Sequence, residues 1–130
     1  MKNNILKFII YLYYFSLVLL LILYIFPGSL IGYFLYSELG KQPNFFANPI
    51  GTSINHVFYF SYLTFLGLIY NSKEKKIING FIFLLTISVF LELLHFFIPN
   101  RAFELNDLLS NIMGVLVIFF LFKLMRKFIL

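Results

Sequence analysis

Residues 77–114 read IINGFIFLLTISVFLELLHFFIPNRAFELNDLLSNIMG, and this stretch decides the fold. Its first part, residues 77–98, is apolar and long enough to cross a hydrocarbon core of about 30 Å, which takes about 20 helical residues. Pro99 and Asn100 break that run, and a second apolar run opens at Asp107. Two crossings joined by so short a link predict a helical hairpin, because lipid leaves no partner for backbone groups outside helices or closed barrels. Glu92, His95, Arg101, Asp107 and Asn111 are set into this hairpin, bracketed by Pro99 and Gly114. An ionisable group in a lipid-facing segment costs about 2.5 kcal/mol or more unless it finds protein, water or a partner. A cluster of them marks a candidate site.

Outward from the hairpin, apolar runs occupy residues 5–26 and 54–70, with the last run covering 107–122. Runs 54–70 and 107–122 are short for a span and the other two comfortable. The first is too long for the apolar core of a signal peptide, and no small-residue cleavage site follows Phe26-Pro27-Gly28, so it reads as a retained helix. The chain is 62% hydrophobic and 12% charged, against about a quarter charged in soluble domains. The expected fold is all-α: one integral membrane domain over residues 1–130, a bundle of four transmembrane helices. The absence of cysteine removes disulfides, thiol nucleophiles and Cys-based metal sites from consideration.

Basic residues orient the bundle. Lys2, Lys7, Lys73, Lys75, Lys76, Lys123, Arg126 and Lys127 fall on one side, Lys41 and Arg101 on the other. The positive-inside rule then puts both termini in the cytoplasm and the polar cluster at the outer end of a multi-pass protein of the cytoplasmic membrane. The net charge of +5 resides at segment ends rather than on one face, so nucleic acid is not an expected partner. With no Trp, an aromatic belt would use Tyr11, Tyr13, Tyr14 and Tyr70 inside and Tyr24, Tyr33 and Tyr36 outside. The long outer loop between the first two spans carries Pro27-Gly28, Gly40, Pro43 and Pro49 around a short apolar stretch. It is expected to lie along the interface or to re-enter above the site.

Glu92 and His95 are one helical turn apart and share a face. Asp107 is expected at the N-cap or in the first turn of the last helix, where a carboxylate favours the positive end of the dipole. Asn111 and Gly114 follow on the same stripe, and a small residue permits close helix approach. His56 opens the second run, and Arg101 is expected to fold back and join Glu92 and Asp107 in a charge-paired core. These groups could equally act as a lock on the hairpin. Asn55 and Glu104 read as an interfacial and a solvated group. Glu92-x-x-His95 resembles half of a di-iron carboxylate site, and His56 and Asp107 could complete a hard N/O sphere, but a second Glu-x-x-His and further carboxylates are missing, so no metal or other cofactor is expected. No HExxH, phosphate-binding glycine loop or nucleophile elbow is present, and the spacing names no reaction.

The order His56, Glu92-x-x-His95, Pro99-x-Arg101, Asp107, Asn111 and Gly114 resembles the VanZ-like family of small bacterial membrane proteins, over essentially the whole chain. His95 stands where that family usually has Gln, and Thr52-Ser53 replace an acidic-basic pair that often precedes the His. The family is named for a member that lowers susceptibility to the glycopeptide teicoplanin. The resemblance implies an envelope-facing polar pocket; it does not by itself carry over an antibiotic-resistance role. The expected function is a cell-envelope protein binding or modifying a lipid-linked precursor or surface glycan, with membrane lipids and a glycopeptide as further partners. An intramembrane acid/base enzyme, metal-assisted or not, on a lipid-linked phosphate is the alternative, and a small transporter a third reading.

Overall fold

The computed structural model describes residues 2–43, 53–73 and 76–129; Pro49, Thr52 and Lys75 of the reading above lie outside them. Five helices follow in order: α1 (Lys2–Ile25), α2 (Leu30–Tyr36), α3 (Ser53–Lys73), α4 (Ile77–Leu94) and α5 (Leu105–Ile129). No strand occurs among the described residues. Three helical stretches are long and apolar enough to cross a membrane: Asn4–Ile25, Ile77–Leu94 and Leu105–Met125.

The second expected span, α3, is long enough at 21 residues but is not one of these three. Asn55, His56, Ser61, Thr64 and Asn71 dilute its apolar character. Its place in the bundle explains why that is tolerated. It packs against α1, α4 and α5, and Phe60, Leu63, Thr64 and Leu68 are wholly buried. A helix packed against three others needs lipid compatibility only on its remaining face, where Phe58, Tyr62 and Phe65 are exposed. The peripheral helices likewise expose Phe8, Phe15, Ile22, Phe90 and Phe120. Tyr13, Leu20, Leu66, Leu84, Leu91 and Val115 complete the core.

Two helix ends differ from the apolar runs. Although apolar residues continue to Ile98, α4 stops at Leu94, and His95, Phe96 and Phe97 make tight bonds to the carbonyls three residues before them. Pro99 bars any continuation beyond this turn, since it disfavours helical backbone at Ile98 and has no N–H for the His95 carbonyl, and Asn100 then takes a left-handed φ of 58°. Glu92 therefore lies in the last turn of α4. In the other direction, α5 begins at Leu105, which puts Asp107 in its first turn, and it continues to Ile129.

The ends of α1, α3, α4 and α5 that carry the polar residues meet at one end of the bundle. Over that end lies α2. Ser29 caps it through the Gly32 N–H, Ser37 closes it in the left-handed region, and the Ser29 N–H donates to the Leu39 carbonyl. Gly32 is required here, because a Cβ would overlap the Lys41 carbonyl. The loop is pinned to α3 where the Asn55 side chain donates to the Pro43 carbonyl at 2.7 Å. Apart from Gly32, α2 is largely uncovered, with Ile31, Tyr33, Phe34 and Leu35 exposed.

Candidate functional site

Glu92, His95, Asp107 and Asn111 are all buried, and His56 is nearly so. The helices converge so that Asn111, wholly enclosed, joins the cluster together. Its amide nitrogen donates to the Ser88 carbonyl at 3.3 Å and to Glu92 Oε2 at 3.4 Å. Those two acceptors fix the amide orientation, so Oδ1 faces the Tyr24 hydroxyl and His56 Nδ1, each at 3.0 Å. Tyr24 Oη lies 2.6 Å from the same His56 nitrogen. On the far side of the ring, His56 Nε2 is 3.3 Å from Asp107 Oδ2, while Ser53 donates to Asp107 Oδ1. Glu92 Oε1 accepts from the Glu104 N–H at 3.3 Å and lies 3.1 Å from His95 Nδ1.

Arg101 departs from its expected place. Rather than pairing with Glu92 and Asp107, its Nη2 donates to the Leu23 carbonyl at 2.6 Å and its Nε to the Phe26 carbonyl at 3.4 Å. The final turn of a helix leaves carbonyls without partners and carries partial negative charge, so the end of α1 competes successfully for the guanidinium. Burial pushes Arg101 below its ordinary pKa, an effect opposed by the nearby Tyr24, Glu92 and Asp107. Among the described residues, the carboxylates of Glu92 and Asp107 have only histidines as ion-pair partners.

Tyr24 is the second correction. Expected in the outer aromatic belt, it is buried, stacked on His95 at 5.1 Å between ring centres, and bonded to His56 and Asn111. Tyr13, expected at the inner boundary, is also core. Ser53 was legible only as a departure from a family pattern, yet it holds Asp107. Glu104 is exposed, as expected of a solvated charge, but lends its backbone N–H to Glu92. Gly114 sits where α3 and α5 touch: a Cβ there would approach the Val57 carbonyl to 2.7 Å.

Beneath α2 is a cavity of about 120 Å³ whose lining includes Tyr24, Leu30, Pro43, His56, His95 and Arg101. Its polar lining is mainly basic or hydrogen-bond donating, with the carboxylates set behind. His95 uses Nδ1 on Glu92, and its buried Nε2 meets no protein partner. The sequence reading expects no metal, yet the fold draws one ligand atom each from His56, Glu92 and Asp107 within 4.8 Å of one another. Fold and site thus define an all-helical membrane protein with a buried polar cluster and a small capped cavity at one end of its bundle. Beyond that class, no family model, curated protein or solved structure matches the chain.

Proposed function

We propose that this chain is a VanZ-like protein of the bacterial cytoplasmic membrane, crossing it four times with both termini inside, and that its capped cavity faces outward and binds the phosphate-bearing headgroup of a lipid-linked envelope component. The observation that carries this reading is the cavity lining: the Arg101 guanidinium offers N–H donors to an anion, and the buried Nε2 of His95 beside it has no protein partner. A planar guanidinium suits phosphate oxygens well, and the N–H groups left over from capping α1 remain available to a ligand. A volume of about 120 Å³ corresponds to about four waters, which suits a headgroup fragment, with the hydrocarbon chain left in lipid. The exposed apolar face of α2 is suited to the membrane interface, where such a headgroup would arrive. The VanZ-like assignment rests on the order of His56, Glu92, His95, Pro99, Arg101, Asp107, Asn111 and Gly114 in the sequence.

The test is native mass spectrometry of the full-length protein in nanodiscs with a polyprenyl-diphosphate-linked glycan and, separately, with the dephosphorylated lipid. Binding of the first alone, weakened by Arg101→Ala and by His95→Ala, is the expected result. Equal retention of both lipids, or no effect of either substitution, would remove the reading. Deletion and complementation, scored by susceptibility to glycopeptides and lipoglycopeptides, tests the proposed resistance role.

One geometry favours a second reading, an enzyme. Glu92 orients His95 through Nδ1 and leaves Nε2 free, which is the base–orienter half of a hydrolytic site. Here His95→Gln should keep binding and abolish turnover of the diphosphate. Transport is disfavoured: a path needs polar groups through the midplane, whereas Ser88 is spent on the Leu85 carbonyl and Ser16 on Tyr62, which leaves Thr64 as the single buried hydroxyl without a partner there among the described residues.

A further inference from the structure

The proton positions around His56 lead to an ion. Asn111 Oδ1 is buried and needs a donor, and the single hydroxyl proton of Tyr24, at 3.0 Å, supplies it. Tyr24 Oη and Asn111 Oδ1 then both present lone pairs to His56 Nδ1, at 2.6 Å and 3.0 Å. The ring proton belongs on Nδ1. In that tautomer Nε2 carries a lone pair, and it lies 3.3 Å from Asp107 Oδ2. One ligand atom from each of His56, Glu92 and Asp107 lies within 4.8 Å of the others inside the bundle. Arg101, the cation nearest in sequence, is spent on α1 carbonyls, and no other Lys or Arg among the described residues pairs with either acid.

We propose that His56 Nε2, Asp107 Oδ2 and a Glu92 carboxylate oxygen bind one divalent first-row transition ion. Two carboxylates balance its charge, so the occupied cluster is neutral. One imidazole among oxygen donors favours Zn²⁺, Mn²⁺ or Co²⁺ over Mg²⁺ or Ca²⁺, which prefer all-oxygen sets. Metal-binding histidines usually donate their second ring N–H to an oxygen that fixes the tautomer, and Tyr24 and Asn111 stand in that position. Ser53 does the same for Asp107 from its other oxygen. Ligand atoms of a tetrahedral site with bonds near 2.1 Å lie about 3.4 Å apart, so the separation of up to 4.8 Å closes by side-chain rotation of about 1 Å. The ion would sit behind the cavity and does not depend on which amphiphile the cavity accepts.

The test uses full-length protein in detergent, stripped with a chelator and titrated with Co²⁺ alone, then with Zn²⁺ in competition. The expected result is a single Co²⁺ per chain with visible ligand-field absorption, displaced by Zn²⁺. His56→Ala and Asp107→Asn should abolish uptake, Asn111→Ala should weaken it about 10- to 100-fold, and Glu38→Gln should leave it unchanged. Should the ligand variants fail to fold, the wild type still decides. It has only two histidines, so ¹⁵N-histidine spectra, assigned with His95→Gln, must show Zn²⁺ shifting His56 Nε2. No uptake by wild type, or uptake without that shift, overturns the proposal and leaves a hydrogen-bonded His56–Asp107 pair.

Discussion

Asn111 and Arg101 illustrate how much single side chains carry in a protein whose surface is largely lipid-compatible. Asn111 satisfies groups from α1, α3 and α4 at once, through Tyr24, His56, Ser88 and Glu92. A buried polar group left unpartnered costs about 1–3 kcal/mol, and Asn111→Ala leaves several. Thermal or denaturant unfolding in detergent should show a loss of at least about 2 kcal/mol, against almost none for Asn79→Ala, exposed on α4. Arg101→Ala removes two charge-assisted bonds to α1 carbonyls, and a bond to a charged group contributes about 1.5–3 kcal/mol. It should destabilise the protein more than Lys41→Ala, since Lys41 rests on the exposed Tyr36 ring. Equal effects would mean that the α1 cap contributes nothing.

Among the elements, the contact between α3 and α5 is the one most sensitive to volume. Gly114 lets the two backbones approach, and an added Cβ would meet the Val57 carbonyl at 2.7 Å and Phe60 Cβ at 3.0 Å. Backbone cannot swing aside as a side chain can, so Gly114→Ala should cost about 1–3 kcal/mol by overpacking. Gly40→Ala, with open space around it, is the matched control and should leave the melting temperature unchanged. The helical hairpin of α4 and α5 is legible in the sequence because Pro99 and Asp107 are local signals. What the residues did not reveal is that α4 ends at Leu94, because Phe96, Phe97 and Ile98 continue the apolar run across a turn.

For the molecule as a whole, the arrangement of charge predicts topology. Since no cysteine is present, single substitutions can be labelled without background. Glu38→Cys and Glu104→Cys should react with an impermeant maleimide added to intact cells, and Lys76→Cys only after permeabilisation. The reverse pattern would place the capped cavity in the cytoplasm and remove the envelope reading altogether. The central position of α3 makes this test informative, because its composition alone does not mark it as a span.

Sequence by itself determined that the chain is helical and built for lipid, that basic residues gather at one set of helix ends, that Glu92 shares a face with His95, and that Asp107 shares a stripe with Asn111. Each of these follows from local composition or from a spacing of three or four residues. Only the tertiary structure decided the partners: Arg101 to the end of α1 instead of the carboxylates, Tyr24 into the cluster instead of the interface, and His56 against Asp107. The reason is physical. In a soluble helix the apolar stripe reveals which face turns inward, but here lipid accepts apolar residues on the outer face as readily as the core does on the inner. Helix rotation is therefore set by small-residue contacts and by a few polar bonds between distant segments. Those bonds exist only once the helices have met.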